Sequence, residues 1–271
     1  MLKQRLATAF ILIPLVVWGI FDLPDTGFAA FLAGFVMLGA WEWTRICEIK
    51  NITLRLSYLF IFSACLYFLW RNNDPEITRL VLQLSIVWWV AATWLLMAYS
   101  RGKDVLYGQR IVKALIGFVL LLPAFVALMM LRTDAAMGPA YVLLLLLLIW
   151  IADSAAYFSG RRFGRRKLLP KVSPGKSWEG VFGALIATVL FAPAAAFYFE
   201  LPLLKFVILS VIITLISIVG DLTESLFKRQ VKLKDSGVLL PGHGGVLDRI
   251  DSLTSAAPFF LAGMWLITGI L

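Results

Sequence analysis

Two stretches of the chain hold most of the residue types that could handle charged substrates. The first runs from Asp153 through Gly160 to Gly180, with seven Lys/Arg between 161 and 180. Its distal part reads Ser173-Pro174-Gly175-Lys176-Ser177. A flexible backbone with free N–H groups, a lysine and hydroxyls suits a polyphosphate. The GxxxxGK frame of a Walker A loop is missing, so the segment alone is a weak phosphate motif. The same cations could instead fix topology and attract anionic lipid head groups, at ~1 kcal/mol per residue.

The second stretch, 221–252, interleaves five acids with five Lys/Arg. A loop that only sets topology has no need of acids. If a helix continues past Asp221, then Asp221, Glu224, Ser225 and Lys228 fall at i, i+3, i+4 and i+7 and form one polar stripe. Asp248, Asp251, Ser252 and Ser255 repeat that spacing further on. Two helix ends could therefore present carboxylates to one point, a donor set that hard divalent cations such as Mg²⁺ favour.

Between the stripes, Pro241-Gly242-His243-Gly244-Gly245 carries the only histidine. Its glycines permit positive φ and close backbone approach, as a phosphate or nucleotide needs. His243 reads equally as a structural residue of the loop or as a catalytic or nucleotide-contacting one. With no second His or Cys beside it, a zinc site is not expected. Asp153 lies about seven residues inside an apolar segment, hence ~10 Å below its end by helical rise. A carboxylate at that depth costs a few kcal/mol and faces a bundle interior or a cavity. A packing hydrogen bond would be its alternative role. Cys47 and Cys65 lie in or beside apolar segments without metal-ligand spacing and read as packing residues.

The elements that must position these groups are apolar helices. Nine candidate spans fall near 6–21, 27–46, 54–70, 79–99, 111–131, 139–158, 181–199, 203–220 and 253–271. Runs such as Val142–Trp150 do not alternate, which excludes barrel strands. The first block reads as a span and not as a cleaved signal, because no small-x-small site precedes the next acidic turn. Of 25 Lys/Arg, 21 lie in one alternate set of connections; only Arg71, Arg79, Arg132 and Lys205 lie in the other. The positive-inside rule places the first set, the N-terminus and both charged loops (roughly 160–180 and 221–252) in the cytoplasm.

Composition agrees. Of 271 residues, 61% are hydrophobic and 15% charged, with mean hydropathy +0.89. A soluble domain carries about 25% charged residues. A water-soluble globule, a disordered chain and a disulfide scaffold are excluded. Most of the net charge of +9 reflects topology, and no nucleic-acid partner is inferred. The expected fold is all-α and polytopic, with 1–135 as N-terminal spans and 136–271 as the catalytic part of one domain.

Ser225-Leu-Phe-Lys228-Arg229, four residues, Lys234-Asp235-Ser236-Gly237, then Leu240 through Asp251 resembles, position for position, the signature of the phosphatidate cytidylyltransferases, or CDP-diacylglycerol synthases. The stretch from Asp153 to Gly180 is also similar to that family. The resemblance implies the reaction of CTP with phosphatidate to give CDP-diacylglycerol and pyrophosphate. It implies a multi-span enzyme of the bacterial inner membrane, a homodimer, using Mg²⁺ and a second cation such as K⁺. The family's two-cation centre carries over to Asp221 and Asp248, with Asp251 beside them. Lys228, Arg229, His243 and Arg249 are then the catalytic candidates. Asp153, Lys176, Ser177, Ser225, Lys234, Asp235, Gly244 and Gly245 are the substrate-binding ones.

A transporter is the rival of another class, but it would be expected to gather polar residues near the midplane and to show internal repeats. Here they crowd at one interface, and no repeat is found. Within enzymes, a cytidylyltransferase for another lipid phosphate or a CTP-dependent lipid kinase would need similar polar residues.

Overall fold

The computed structural model describes residues 2–72, 74–103, 105, 109–134, 137–239 and 244–269. Long apolar runs give helices because a backbone in lipid can satisfy its N–H and C=O groups only internally. In chain order these are α1 (Leu2–Phe21), α2 (Asp25–Ile46), α3 (Ile52–Arg71), α4 (Pro75–Ser100), α5 (Arg110–Arg132) and α6 (Gly138–Phe163). A short hairpin follows, β1 (Lys167–Leu169) and β2 (Ser173–Ser177), then α7 (Trp178–Tyr198), α8 (Leu203–Gln230) and α9 (Leu247–Thr268). The fold is all-α as expected.

Eight of these helices, α2 to α9, are long and apolar enough to cross a membrane. In α1 the described side chains include the apolar stretch Phe10–Phe21. Helix starts are marked by side chains that satisfy free amides. Asn51 accepts from Thr53 N at 2.8 Å, and Asp74 accepts from Glu76 N at 2.8 Å.

The helices pack into one bundle whose closest pairs are α6 with α7, α8 with α9, α7 with α8, and α5 with α9. Its core holds Trp43, Phe62, Leu121, Phe206, Phe227 and Phe260, all fully buried. Trp43 meets Phe227 edge to face at 5.4 Å, which fixes the end of α2 against α8. Between α7 and α8 the Thr188 and Thr214 hydroxyls bond at 2.7 Å, a polar link of the kind that helps helices associate in lipid. The α6–α7 contact is close because Gly180 has no side chain: a Cβ there would lie 2.9 Å from Ala156 O. Large side chains such as Phe60, Val90, Phe197 and Leu266 point outward, which is favourable against acyl chains.

Three features differ from the sequence expectation. Helix α6 runs on to Phe163, and α9 starts at Leu247 instead of near 253. The charges of Asp248, Arg249 and Asp251 lower the hydropathy there without breaking the helix. Half of the charged stretch 221–252 thus belongs to helices, 221–230 to α8 and 247–252 to α9. The Ser173–Ser177 segment is a strand, antiparallel to β1 with Lys167 opposite Ser177 and Leu169 opposite Ser173. Its turn buries Val172 in a small cluster with Leu96, Leu222 and Leu226, which docks the hairpin on α8.

Candidate active site

The polar stripe of α8 forms as its spacing predicts, because α8 continues unbroken to Gln230. Glu224, Ser225 and Lys228 are buried, while Asp221 is half-buried. Lys228 Nζ lies 3.0 Å from Glu224 Oε1, one turn back, and 2.5 Å from Asp248 Oδ1 on α9. A lysine at that depth persists because two carboxylates compensate it.

Docking of the hairpin brings the second group in. Lys176 on β2 reaches Asp221, with Nζ 2.7 Å from Oδ2. Ser225 Oγ donates to the other oxygen of Asp221 at 3.4 Å. Arg229 holds the hairpin in place, donating to Val172 O at 3.2 Å and to Leu233 O at 3.1 Å. Its described contacts are therefore with backbone carbonyls. Ser177 is buried and caps α7, accepting from Gly180 N at 3.2 Å.

Asp251 has Asp221 and Glu224 as like-charged neighbours, with Lys176 and Lys228 as the opposing cations. One of its oxygens accepts from Ser252 N at 2.7 Å. Asp153 is exposed on α6 and faces Lys176, Asp221 and Arg249 electrostatically. Arg249 is itself exposed. Lys234 and Asp235 are exposed on the loop beyond α8. His243 lies outside the described residues.

Asp248 is the most fully engaged carboxylate. Its Oδ2 accepts from Ser236 N at 2.9 Å, Ser236 Oγ at 3.0 Å and Gly245 N at 2.8 Å. Gly244, at φ +81°, occupies the left-handed region that favours glycine. At Gly245 a Cβ would run into Ser236 Oγ and the Glu42 carboxylate. So Gly244 and Gly245, which sequence alone links to a phosphate, are required here by how the loop packs.

Glu42 and Glu224 are the residues that sequence reasoning missed as site members. A lone acid in the apolar α2 is the one signal that could have found Glu42, since such a residue is costly in a span. Glu224 stands in the recognised stripe.

The donors suit a hard cation in kind: they are oxygens, and Glu224 Oε2 is buried without a hydrogen-bond partner in the structure. Among the described residues, however, no three Asp, Glu, His or Cys side chains are gathered to hold a metal ion. Asp221, Glu224 and Asp248 instead each face a lysine.

Comparison with known proteins gives a consistent result over the whole chain. The model of the cytidylyltransferase family matches residues 3–267. A phosphatidate cytidylyltransferase of Pseudomonas aeruginosa is 44% identical over 271 residues, covering 98% of this chain and 97% of its own length. One from Haemophilus influenzae is 40% identical, covering 96% and 97% respectively. One from Brucella suis is 32% identical, covering 94% and 90%.

Proposed function

The chain belongs to the cytidylyltransferase family, and from that premise we infer that it transfers the cytidylyl group of CTP to phosphatidate. The products are CDP-diacylglycerol and pyrophosphate. The carrying observation is that segments matched end to end by relatives named for this reaction bring Lys176 onto Asp221 and Lys228 onto Asp248. Paired cations and carboxylates at helix ends are what a reaction between two anions requires.

In that reaction a phosphate oxygen of phosphatidate attacks the α-phosphorus of CTP, and pyrophosphate leaves with the electron pair of the broken P–O bond. Two like unit charges 4 Å apart repel by roughly 4 kcal/mol at an effective dielectric near 20, and both reactants carry more than one. Lys176 and Lys228 offset that repulsion and lower the charge of the leaving group. The nucleophile is already ionised near neutral pH, so no general base is needed and no covalent protein intermediate forms. Arg229 keeps the hairpin, and with it Lys176, against α8.

Asp221, Asp248 and Asp251 are the residues that would hold Mg²⁺, with Lys176 and Lys228 first giving up Asp221 and Asp248. Bound there, Mg²⁺ supplies charge neutralisation and alignment of the phosphates. A second cation such as K⁺ would have the remaining carboxylate charge available. In this reading Asp153, Lys234 and Asp235 are substrate-binding residues, and Arg249 and His243 are assigned to the reaction itself. The acyl chains stay in the bilayer while CTP arrives from water, so the active-site loops and the N-terminus lie in the cytoplasm. The charge asymmetry of the connections supports that orientation in a bacterial inner membrane. Resemblance to the family implies a homodimer.

The test uses the purified protein in detergent with dioleoyl phosphatidate, Mg²⁺ and CTP labelled at the α- or the γ-phosphate in parallel. Label from the α-position in the lipid phase, with γ-label released as pyrophosphate and both lost with EDTA, is the expected result. γ-Label in lipid would make the protein a CTP-dependent kinase. No transfer in either arm would reject phosphatidate as acceptor.

A further inference from the structure

The loop between α8 and α9 is held from outside by a residue of α2. Glu42 is buried, at 4% exposure, in a helix that is otherwise mostly apolar. Its Oε1 accepts from Val246 N at 3.1 Å, and its Oε2 accepts from Leu247 N at 2.8 Å and Ser236 Oγ at 2.9 Å. Val246 and Leu247 are the first residues of α9 and its cap. Their amides have no partner inside the helix, and the helix dipole favours an anion there. One turn along α2, Arg45 donates to Ser236 O at 2.8 Å. Helix α2 therefore grips both ends of the connection, Ser236 near its start and Val246-Leu247 at its close.

Ser236 is the junction. It is fully buried, and its hydroxyl lies within hydrogen-bond distance of Glu42 and of Asp248. One hydroxyl proton can serve only one carboxylate at a time. Each carboxylate also has two backbone amides of its own, so both stay compensated. Asp248 in turn pairs with Lys228. The run Glu42, Ser236, Asp248, Lys228 is thus continuous. The chain backbone closes on Glu42 so tightly that a Cβ at Gly237 or Gly245 would overlap its carboxylate.

We propose that Glu42 is a positioning residue of the reaction: it clamps the α8–α9 connection through Ser236 and the α9 N-terminus, and so sets where Asp248 and Lys228 stand. The proposal rests on the functional reading above for the reaction, but not for the clamp. Small displacements of aligned groups cost rate more than binding, so the loss should appear in kcat and not in KM for CTP.

The experiment uses the full-length protein in lipid nanodiscs as wild type, Glu42→Gln, Ser236→Ala and the double variant. Backbone exchange in deuterium oxide is followed together with CTP kinetics. Expected for Glu42→Gln is exchange about tenfold or more faster in peptides over 231–247, with α5 peptides unchanged. Its kcat should fall by about tenfold or more at an unaltered KM. Ser236→Ala, which removes one hydroxyl, should move both in the same direction, and the double variant should be no slower than Glu42→Gln. Unchanged exchange over 231–247, or a wild-type kcat in Glu42→Gln, would overturn the proposal. So would multiplying losses in the double variant. A wild-type protein that transfers no cytidylyl group would sink the functional reading and with it the catalytic role. The exchange arm would still decide whether Glu42 clamps the loop.

Discussion

Lys176 on the hairpin lies 2.7 Å from Asp221 on α8, which joins two charged segments that are far apart in the chain. The pair is partly exposed, at 26% and 33% of the two side chains, so a phosphate arriving from water can reach it. By contrast Lys228 and Asp248 are each 8% exposed and form the floor beneath.

Asp248→Asn is expected to lower turnover by about a hundredfold or more, with the protein still inserted. The change removes a charge facing Lys228 while keeping an oxygen for the Ser236 and Gly245 amides. Steady-state label transfer on the solubilised variant, with gel filtration as a check on folding, measures it. Near-normal turnover would end the assignment of Asp248 to the centre.

Gly245→Ala should cost about 1–3 kcal/mol of stability through overpacking, since the new methyl meets Ser236 and Glu42. Earlier unfolding in a thermal scan, together with lost transfer, is the expected outcome. A variant as stable as the wild type would show that the loop can yield there.

Cys47 is fully buried, and burial pushes its thiol from 9.0 up to about 12, with Lys113 opposing the shift. A thiol at that ordinary value is about a tenth ionised at pH 8, whereas this one would be ~10⁻⁴ ionised. Iodoacetamide at pH 8 should leave Cys47 unmodified in the native protein and alkylate it after denaturation, as read by mass spectrometry. The sign for stability follows. The neutral thiol's contribution is full below the unfolded value near 9 and is lost as pH rises towards about 12. Native labelling of Cys47 at pH 8 would contradict its placement.

Much of this arrangement is legible in the residues themselves. Spacing alone puts Asp221, Glu224, Ser225 and Lys228 on one face, and hydropathy finds the core of every helix. The end of α9 nearest the site is missed, because Asp248, Arg249 and Asp251 look like loop residues to a hydropathy reading. Ser173-Pro174-Gly175-Lys176-Ser177 resists assignment as a strand, because Pro and Gly signal a loop and the partner strand is only three residues long. Glu42 has one local signal, an acid inside an apolar segment, and nothing near it in sequence names its partners. Its partners are about 200 residues away in sequence, and the packing of α2 against α9, with Trp43 on Phe227, brings them together.

The most direct test of the shared centre compares the wild type with Lys176→Ala and Asp221→Asn in lipid nanodiscs, following α-labelled CTP into CDP-diacylglycerol. The account predicts transfer by the wild type and a loss of about a hundredfold or more in each variant, with both variants inserted and folded. Near-wild-type transfer by either variant would contradict the claim that the hairpin and α8 form one active site.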